Sequence, residues 1–366
     1  MKKQSLWIYT GVFSSIILLS GCGVFQGEQT LKEIDSPPQE EANYTEDLEE
    51  TDTKDKASSE ESEGETTDDS GEEATETVER QLYLLDSNGM VVPQTVELPK
   101  TKSVASQAVE YLVKGGPVTD LLPNGFEAVL PSGTDIIGVD LDEDGTLTVD
   151  VSKEFAEYRP EDEQKIIQSM TYTLTQFENV KQVKLWINGH EQKEMPVSGT
   201  PISEGYSRAN GINLYHDDNV DLMDSKAVTL YYPAQHDSTF YHVPVTQHIE
   251  MDKDNTYESI VQALVDGPSF DTGLLNVFNS GVALANQPEY SDGVLTLNFN
   301  ENVLNNVESK SISDQVMETL VLTLTDQPGV EAVNVTVENM EEVFNEKGVP
   351  YSEPVTREMF VPTGSL

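Results

Sequence analysis

The stretch Asp144-Gly-Thr-Leu-Thr-Val-Asp150 returns as Asp292-Gly-Val-Leu-Thr-Leu-Asn298, 148 positions further along the chain. Two other stretches recur at nearly the same interval: Thr173-Leu-Thr175 as Thr323-Leu-Thr325, and the run 183–188 as 333–338, both 150 positions apart. Several matches in the same order and at one interval rarely arise by chance. The sequence therefore predicts that one domain is present twice.

Each copy shows the same order of patterns. Alternating apolar residues predict strands at 82–85 and 91–98 around an Asn-Gly turn, and again at 137–141 and 147–151 around the Asp-Gly turn. Helical spacing predicts one helix near 105–112 and another after Pro160, where the first turn is acidic. A strand at 183–187 closes the copy. The order β-β-α-β-β-α-β predicts an α+β domain, a small mixed sheet with helices packed on one face.

Two Gly-Pro pairs, Gly116-Pro117 and Gly267-Pro268, follow the first helix of each copy. Glycine adopts the left-handed conformation that ends a helix, and proline cannot continue one. These pairs, together with Gly145 and Gly293 of the Asp-Gly turns, are therefore predicted to be structural turns. The two domains are predicted at 81–213 and 226–363, joined by a linker at 214–225.

Residues 1–21 have the layout of a bacterial lipoprotein signal peptide. Lys2 and Lys3 precede an apolar run, Leu6–Leu19, which is shorter than the ~20 residues that cross a bilayer. Leu19-Ser-Gly-Cys22 then resembles a lipobox, and Cys22 is the only cysteine in the chain. Transfer of a diacylglyceryl group to the Cys22 thiol and cleavage before Cys22 predict a lipid anchor on the extracytoplasmic face of the cell membrane. An uncleaved signal anchor is the alternative.

Residues 22–80 are predicted to form an acidic, disordered tether. Between 26 and 80 there are 21 acidic and four basic residues, without apolar periodicity. Such a segment repels itself and has too little apolar surface to offset its chain entropy. Repulsion from anionic lipids would also hold the folded part away from the membrane.

The overall composition argues against several classes of function. The 366 residues include 66 acidic and 21 basic side chains, a formal net charge of −45, so nucleic acid is not an expected partner. A single cysteine rules out an intrachain disulfide. The sequence has no Gly-x-Ser-x-Gly, P-loop or His-Glu-x-x-His motif. It therefore predicts no catalytic residues, no cofactor and no enzymatic activity.

Two groups of residues resemble metal sites. Asp140, Asp142 and Asp144 stand before Gly145 as in a calcium loop, but Val151 occupies the position of the bidentate glutamate. His236, His242 and His248 recur every six residues, but Pro244 interrupts the strand on which they would share a face. No metal site is predicted, although calcium binding by the aspartate loop stays open at this stage.

The lipobox at Cys22, the acidic tether and the duplicated order of helix, Gly-Pro, Asp-Gly hairpin, helix and strand together resemble the GerM-like lipoproteins of sporulation and spore germination. The resemblance covers about 81–363 and implies two GerMN domains, which look like the ring-building domains of secretion systems. It implies no catalytic residues. It also implies protein partners in the channel complex between mother cell and forespore, a place in their intermembrane space, and a role in assembling that complex for sporulation and germination.

Other functions remain open. A lipoprotein of this kind could bind a small ligand or a peptidoglycan fragment between its two domains. Trp186, Tyr231 and Tyr232 are candidates for stacking on sugars, although their apolar strand patterns are more typical of a core. An envelope hydrolase with an acidic pair is a weaker alternative. A sensor accessory in bacteria that form no spores is another.

Overall fold

A computed structural model describes residues 76–215, 220–221, 225–252, 255–268 and 272–361. The predicted signal peptide, Cys22 and nearly all of the predicted tether lie outside these ranges. Within them, no helix has the length and apolar character that crossing a membrane requires.

The first repeat consists of seven strands and two helices: β1 Thr77–Asp86, β2 Val91–Pro99, α1 Val104–Glu110, β3 Phe126–Glu127, β4 Ile136–Leu141, β5 Thr146–Val151, α2 Glu163–Leu174, β6 Gln182–Ile187 and β7 His190–Glu191. The second repeat follows the same plan: β8 Ser225–His236, β9 Thr239–Glu250, α3 Thr256–Asp266, β10 Glu289–Ser291, β11 Val294–Phe299, β12 Leu304–Asn306, β13 Ser311–Ile312, α4 Asp314–Leu324, β14 Ala332–Val337 and β15 Val355–Thr356. The α+β class and the duplication predicted from the sequence are confirmed.

Each repeat contains a mixed sheet of four strands. Its strand order is β4-β5-β6-β7 in the first repeat and β10-β11-β14-β15 in the second. The two central strands are parallel, β5 with β6 and β11 with β14, and the flanking strands are antiparallel. Parallel neighbours need a crossover connection, and α2 and α4 supply it.

The first two strands of each repeat form a hairpin outside the mixed sheet, and in the first repeat β3 also pairs with β1 to give the order β2-β1-β3. β1 begins at Thr77, so residues 77–80 belong to the fold and not to the tether, where the sequence had placed them. Thr77 lies opposite Pro99 in the ladder, and these residues are ordered because β2 is long enough to pair with them. The apolar pattern of β1 begins only at Leu82, whereas the pairing begins at Thr77, so a prediction from the pattern alone starts the strand too late.

Polar residues of α2 and of the turn after it cover the part of β1 that β3 does not pair with. The Tyr83 amide donates to Thr173 Oγ1 at 2.9 Å, and Ser169 Oγ donates to the Tyr83 carbonyl. Gln176 Nε2 donates to the Gln81 carbonyl at 2.7 Å. Ser169 and Thr173 lie four residues apart on one face of α2, and Gln176 follows the end of the helix. These side chains therefore satisfy backbone groups of β1 that no neighbouring strand pairs.

Both repeats belong to one compact unit. Their buried apolar residues form a single continuous core that includes Leu82 and Leu147 of the first repeat and Leu230 and Leu297 of the second. The two copies are therefore packed against each other as well as joined in sequence.

Candidate functional site

Of the predicted site residues, Cys22 lies outside the described residues, so its lipidation stays a prediction. All of the predicted turn residues lie within the described ranges, and Pro268 is the last residue before the gap at 269–271.

The Gly-Pro pairs differ between the two repeats. In the second, α3 ends at Asp266 and Gly267 follows it with φ +84°, as predicted. In the first, the prediction was wrong: α1 already ends at Glu110, and Gly115, not Gly116, has the positive φ of +74°. The reason is competition for the Leu112 carbonyl, which accepts the amides of Val129 and Leu130 at 2.9 and 2.8 Å. Pro117 instead opens a short 3-10 helix, Pro117–Asp120.

The Asp-Gly turns have a common structural role. The carbonyl of Gly145 accepts the Lys181 amide at 2.8 Å, and that of Gly293 accepts the Glu331 amide at 2.7 Å. Each turn therefore holds the beginning of the parallel strand next to it. Gly145 has φ +91° and Gly293 has φ +83°, a region that favours glycine.

The two metal-like groups do not assemble in the fold. Asp140 lies in β4, and Asp144 accepts the amide of Thr146 at 2.9 Å as part of the turn. His242 is buried against Thr319 Oγ1 at 3.0 Å, whereas His248 Nδ1 lies 3.0 Å from Ser225 Oγ. Among the residues that the structure describes, no three His, Cys, Asp or Glu side chains are grouped to hold a metal ion.

The candidate stacking residues do not form a ligand surface. Tyr231 and Tyr232 are buried in the core, and Trp186 is half-buried on β6. Two of the three aromatic rings are thus packing groups, which is what their strand patterns favoured.

Side-chain hydrogen bonds join the two repeats, and the first group of them is made by Asn213. Asn213 Oδ1 accepts the amide of Val91 at 2.9 Å, and Nδ2 donates to the carbonyls of Val91 and Pro244 at 2.7 and 2.8 Å. Val91 begins β2 and Pro244 lies in β9. A single side-chain amide therefore bridges the hairpins of both repeats. We call the contact region around Asn213, Val91, Pro244, Asp86 and Tyr241 the seam.

The second part of the seam joins Tyr241 to Asp86. Tyr241 donates its hydroxyl to Asp86 Oδ2 at 2.9 Å, while Asp86 Oδ1 accepts the amides of Asn88 and Met90 at 2.9 and 2.8 Å. Burial and the adjacent carboxylate raise the pKa of Tyr241 above its ordinary value, so the hydroxyl keeps its proton. One buried carboxylate thus shapes the β1–β2 turn and binds the other repeat.

Two arginines at equivalent positions pin the ends of α2 and α4. Arg208 Nη2 donates to the Tyr172 carbonyl at 3.4 Å, and Arg357 Nη1 donates to the Leu322 carbonyl at 2.8 Å. Arg208 follows Tyr172 by nearly the same number of positions as Arg357 follows Leu322. Carbonyls in the last turn of a helix have no partner within the helix and carry partial negative charge. Each arginine therefore stabilises the C-terminal end of the second helix of its own repeat.

The same arginines stack on tyrosine rings. Arg208 lies 4.7 Å from the centroid of Tyr172, and Arg357 lies 4.9 Å from that of Tyr231, whose hydroxyl it also contacts at 2.9 Å. Arg208 Nη1 is 3.7 Å from Asp326 Oδ1, an ion pair between the repeats. Burial raises the pKa of Tyr172 above its ordinary value. Arg357 thus acts within the second repeat, whereas Arg208 also joins the two repeats through Asp326.

A third buried anchor fastens a loop to α2. Glu163 is almost fully buried and accepts the Tyr158 hydroxyl at 2.9 Å and the Thr200 amide and hydroxyl at 3.0 and 2.6 Å. Burial raises the pKa of Glu163, but hydrogen bonds from Ser198 and Thr200 outweigh that effect and hold the pKa below its ordinary 4.5. The carboxylate is therefore a structural clamp.

Sequence reasoning missed these residues for different reasons. Arg357 follows Arg208 at an interval of 149 positions, so a comparison of the copies extended to their ends would have found the pair. Asn213 has no counterpart, because its position in the second copy is Pro362. No repeat signal points to it.

Two stretches of the chain, 81–193 and 229–343, match one family model, described as Germane, sporulation and spore germination. The chain belongs to the Germane family. Each matched stretch contains the Asp-Gly hairpin and the second helix of one repeat, the elements on which the resemblance was based.

The relatives of this Germane chain point the same way. It is 46% identical over 368 residues, covering 100% of both chains, to the spore germination protein GerM of Bacillus subtilis (strain 168). The solved tandem GerMN domains of the sporulation protein GerM from B. subtilis match it with a TM-score of 0.72 and 49% identity, covering 77% of this chain and 98% of that one. The first GerMN domain of the same protein, solved alone, is 62% identical over 36% of this chain, with a TM-score of 0.35. The Germane chain is thus a homologue of a sporulation and germination protein, with two GerMN domains in tandem.

Proposed function

We propose that this protein is a non-catalytic, lipid-anchored assembly component of the channel complex between mother cell and forespore, needed for sporulation and spore germination. The seam is the observation that carries the proposal. Asn213 and the Asp86–Tyr241 bond fix two GerMN domains into one body. A rigid tandem offers two domain surfaces in fixed geometry, so a partner that touches both spends no free energy on ordering a linker.

The buried ionic groups support a structural role for the same domains. Glu163, Arg208 and Arg357 each make several hydrogen bonds within the fold. Titratable groups with shifted pKa values often mark catalytic sites. Here, however, the hydrogen-bond partners of Glu163, Arg208 and Arg357 are backbone groups and neighbouring side chains of the fold.

The membrane attachment rests on Cys22. A diacylglyceryl group on its thiol would supply two acyl chains, and acylation of the new amino terminus a third, enough for stable anchoring at ~0.8 kcal/mol for each buried methylene. The acidic segment after Cys22 would then act as a spacer, which allows the tandem to reach a partner on the opposite membrane. The protein would face the intermembrane space of the sporulating cell.

Fractionation of cells that express Cys22→Ala tests the anchor. We expect this variant to move from the membrane to the soluble fraction, because no thiol remains to carry the lipid. Ser20→Ala is the matched control and should stay with the membrane, since it keeps a small residue in the lipobox. Membrane retention of Cys22→Ala would rule out the anchor.

Capture of the full-length protein from sporulating cells tests the assembly role. We expect channel proteins to co-purify with it. A shortened tether should reduce that capture and lower spore yield, whereas a Gly/Ser tether of the original length should preserve both. Unchanged assembly with the short tether would contradict the spacer role.

A second function is favoured by one cleft. A cavity of about 750 Å³ lies between the repeats, lined by the β1–β2 turn, the start of α2, Asn213–Tyr215 and Val245. Its size is that of a small-ligand site. If muropeptides occupy it, they should raise the melting temperature, and Lys165→Glu in its wall should abolish the shift. No shift with wild-type protein would exclude this ligand class.

A further inference from the structure

The edge strand β4 of the first repeat differs from its counterpart in the second. β4 is the terminal strand of its sheet and pairs only with β5, with a shift of register at Ile137. Two of its apolar side chains are open to solvent: Ile137 is 54% exposed and Leu141 is 37% exposed. A long, apolar edge strand is a template for pairing with another chain unless the fold protects it.

The register shows which backbone groups this edge offers. The Asp142 amide donates to the Thr146 carbonyl at 2.9 Å, which makes these residues a hydrogen-bonded pair. Bonded and non-bonded pairs alternate in an antiparallel ladder. Val139 and Leu141, which face Val149 and Leu147, are therefore non-bonded pairs whose amides and carbonyls point away from β5.

The corresponding edge strand of the second repeat offers less backbone for pairing. β10 has three residues, Glu289–Ser291, and Pro288 before it has no amide to donate. The exposed ring of Tyr290 stacks on Tyr257 at 6.2 Å, and its hydroxyl donates to the Gly329 carbonyl at 2.9 Å. The protein thus carries a protected edge and an open edge at equivalent places in two copies of one domain.

The charges beside the open edge select its partner. Asp140, Asp142 and Glu143 are exposed along β4 and its turn, next to Asp144. Hydrogen bonds from the Thr146 amide and side chain lower the pKa of Asp144, so it is ionised as well. Like charges repel a second copy of this edge, whereas a basic segment is attracted. The excess of negative charge along β4 therefore attracts a basic segment and disfavours pairing with a second copy of this edge.

We propose that the free edge of β4 binds an extended, basic segment of a partner protein as an added strand. The amides and carbonyls of Val139 and Leu141 pair with the backbone of that segment. Ile137 and Leu141 contact its apolar side chains, and the acidic residues of β4 and its turn contact its lysines or arginines. This inference rests on the proposed assembly function and names the surface that performs it.

Peptide binding to the full-length protein in detergent tests the edge directly. The probe is a fluorescent peptide of alternating lysine and valine, with a glutamate-valine peptide as its control. Because the whole chain is acidic, binding of the basic peptide alone does not identify the site. Val139→Pro removes one outward amide without changing the charge, and proline is tolerated on an edge whose amide faces solvent.

We expect Val139→Pro to weaken binding of the basic peptide at least tenfold. Tyr290→Pro, at the protected edge of the second repeat, should leave it unchanged. Asp140→Lys with Asp142→Lys should weaken binding more than the equal charge change Glu341→Lys with Glu342→Lys. Equal affinity of wild type and Val139→Pro would overturn the proposal and indicate non-specific attraction.

If Val139→Pro does not fold, amide hydrogen exchange of the wild-type protein with and without the basic peptide tests the same proposal. Protection of the Val139 and Leu141 amides by the peptide supports strand addition, and unchanged exchange overturns it. Capture from sporulating cells separates the two proposals. If Val139→Pro is folded and retains channel proteins as well as wild type does, the strand proposal fails and the assembly role stands; if wild type itself retains none, the assembly role fails.

Discussion

Thr173 Oγ1 accepts the backbone amide of Tyr83 at 2.9 Å, and Thr323 Oγ1 accepts that of Tyr231 at 3.0 Å. The recurring Thr-Leu-Thr stretch thus places one threonine of each second helix on the edge of the first strand of its repeat. The other threonine, Thr175 or Thr325, donates to the carbonyl four residues earlier, at 2.7 Å in both copies. The repetition in sequence reflects a repeated hydrogen-bonding task.

Replacing Thr173 by valine should destabilise the protein by about 1–3 kcal/mol, because the buried Tyr83 amide loses its acceptor while the side-chain volume is kept. Thr171→Val is the matched control on the same helix. Thr171 is buried and its hydroxyl has no partner, so the change should be neutral or stabilising. Urea unfolding of both variants measures the difference, and equal losses would contradict the role of Thr173.

Asn213→Ala should lower the free energy of unfolding in two ways. It leaves the Val91 amide without its acceptor, at about 1–3 kcal/mol, and it puts alanine at φ +46°, at about 1 kcal/mol. Asn188→Ala, at an exposed residue with φ +49°, measures the backbone cost alone. Hydrogen exchange should rise in β2 and β9 for Asn213→Ala only. If both variants behave alike, Asn213 does not hold the seam.

Glu163→Gln should remove a pH-dependent part of the stability. Because folding lowers the pKa of Glu163 below its ordinary 4.5, its contribution is fully present above that unfolded value and is lost as the pH falls through the folded pKa. The difference in unfolding free energy between wild type and Glu163→Gln should be constant from about pH 8 to 6 and shrink below about pH 4.5. Glu161→Gln, at an exposed ion pair with Arg159, should have little effect at any pH. Dilute samples are needed, since the pI is about 4.1.

Arg208→Met and Arg357→Met should each destabilise the protein by about 1–3 kcal/mol, because helix-end carbonyls lose their donors. Arg80→Met is the comparison. Arg80 lies over the Phe177 ring at 5.9 Å, and its Nε is buried without a partner. Its replacement should therefore lower the free energy of unfolding less than replacement of Arg208 or Arg357. Thermal unfolding ranks the three. A double-mutant cycle of Arg208 and Asp326 should give a coupling below about 1 kcal/mol, because the pair is partly exposed.

Elements with strong local patterns were predictable. The β1–β2 hairpin and α2 depend on alternation and on helical spacing, which the sequence displays directly. The end of α1 was not predictable, because Val129 and Leu130, far along the chain, compete for the Leu112 carbonyl. The same distant contact explains why the left-handed conformation is found at Gly115 and not at Gly116, where it was predicted.

The sequence by itself determined the duplication, the α+β class and the order of elements, because hydrophobic periodicity and turn residues act within a few positions of the chain. Only the tertiary structure decided that Asn213 bridges two hairpins, that Asp86 contacts Tyr241, and that β4 offers a longer free edge than β10. These features depend on groups distant in sequence being brought to hydrogen-bonding distance. Such contacts leave no periodic trace in a single chain, since each is made once and by residues whose local pattern serves another purpose.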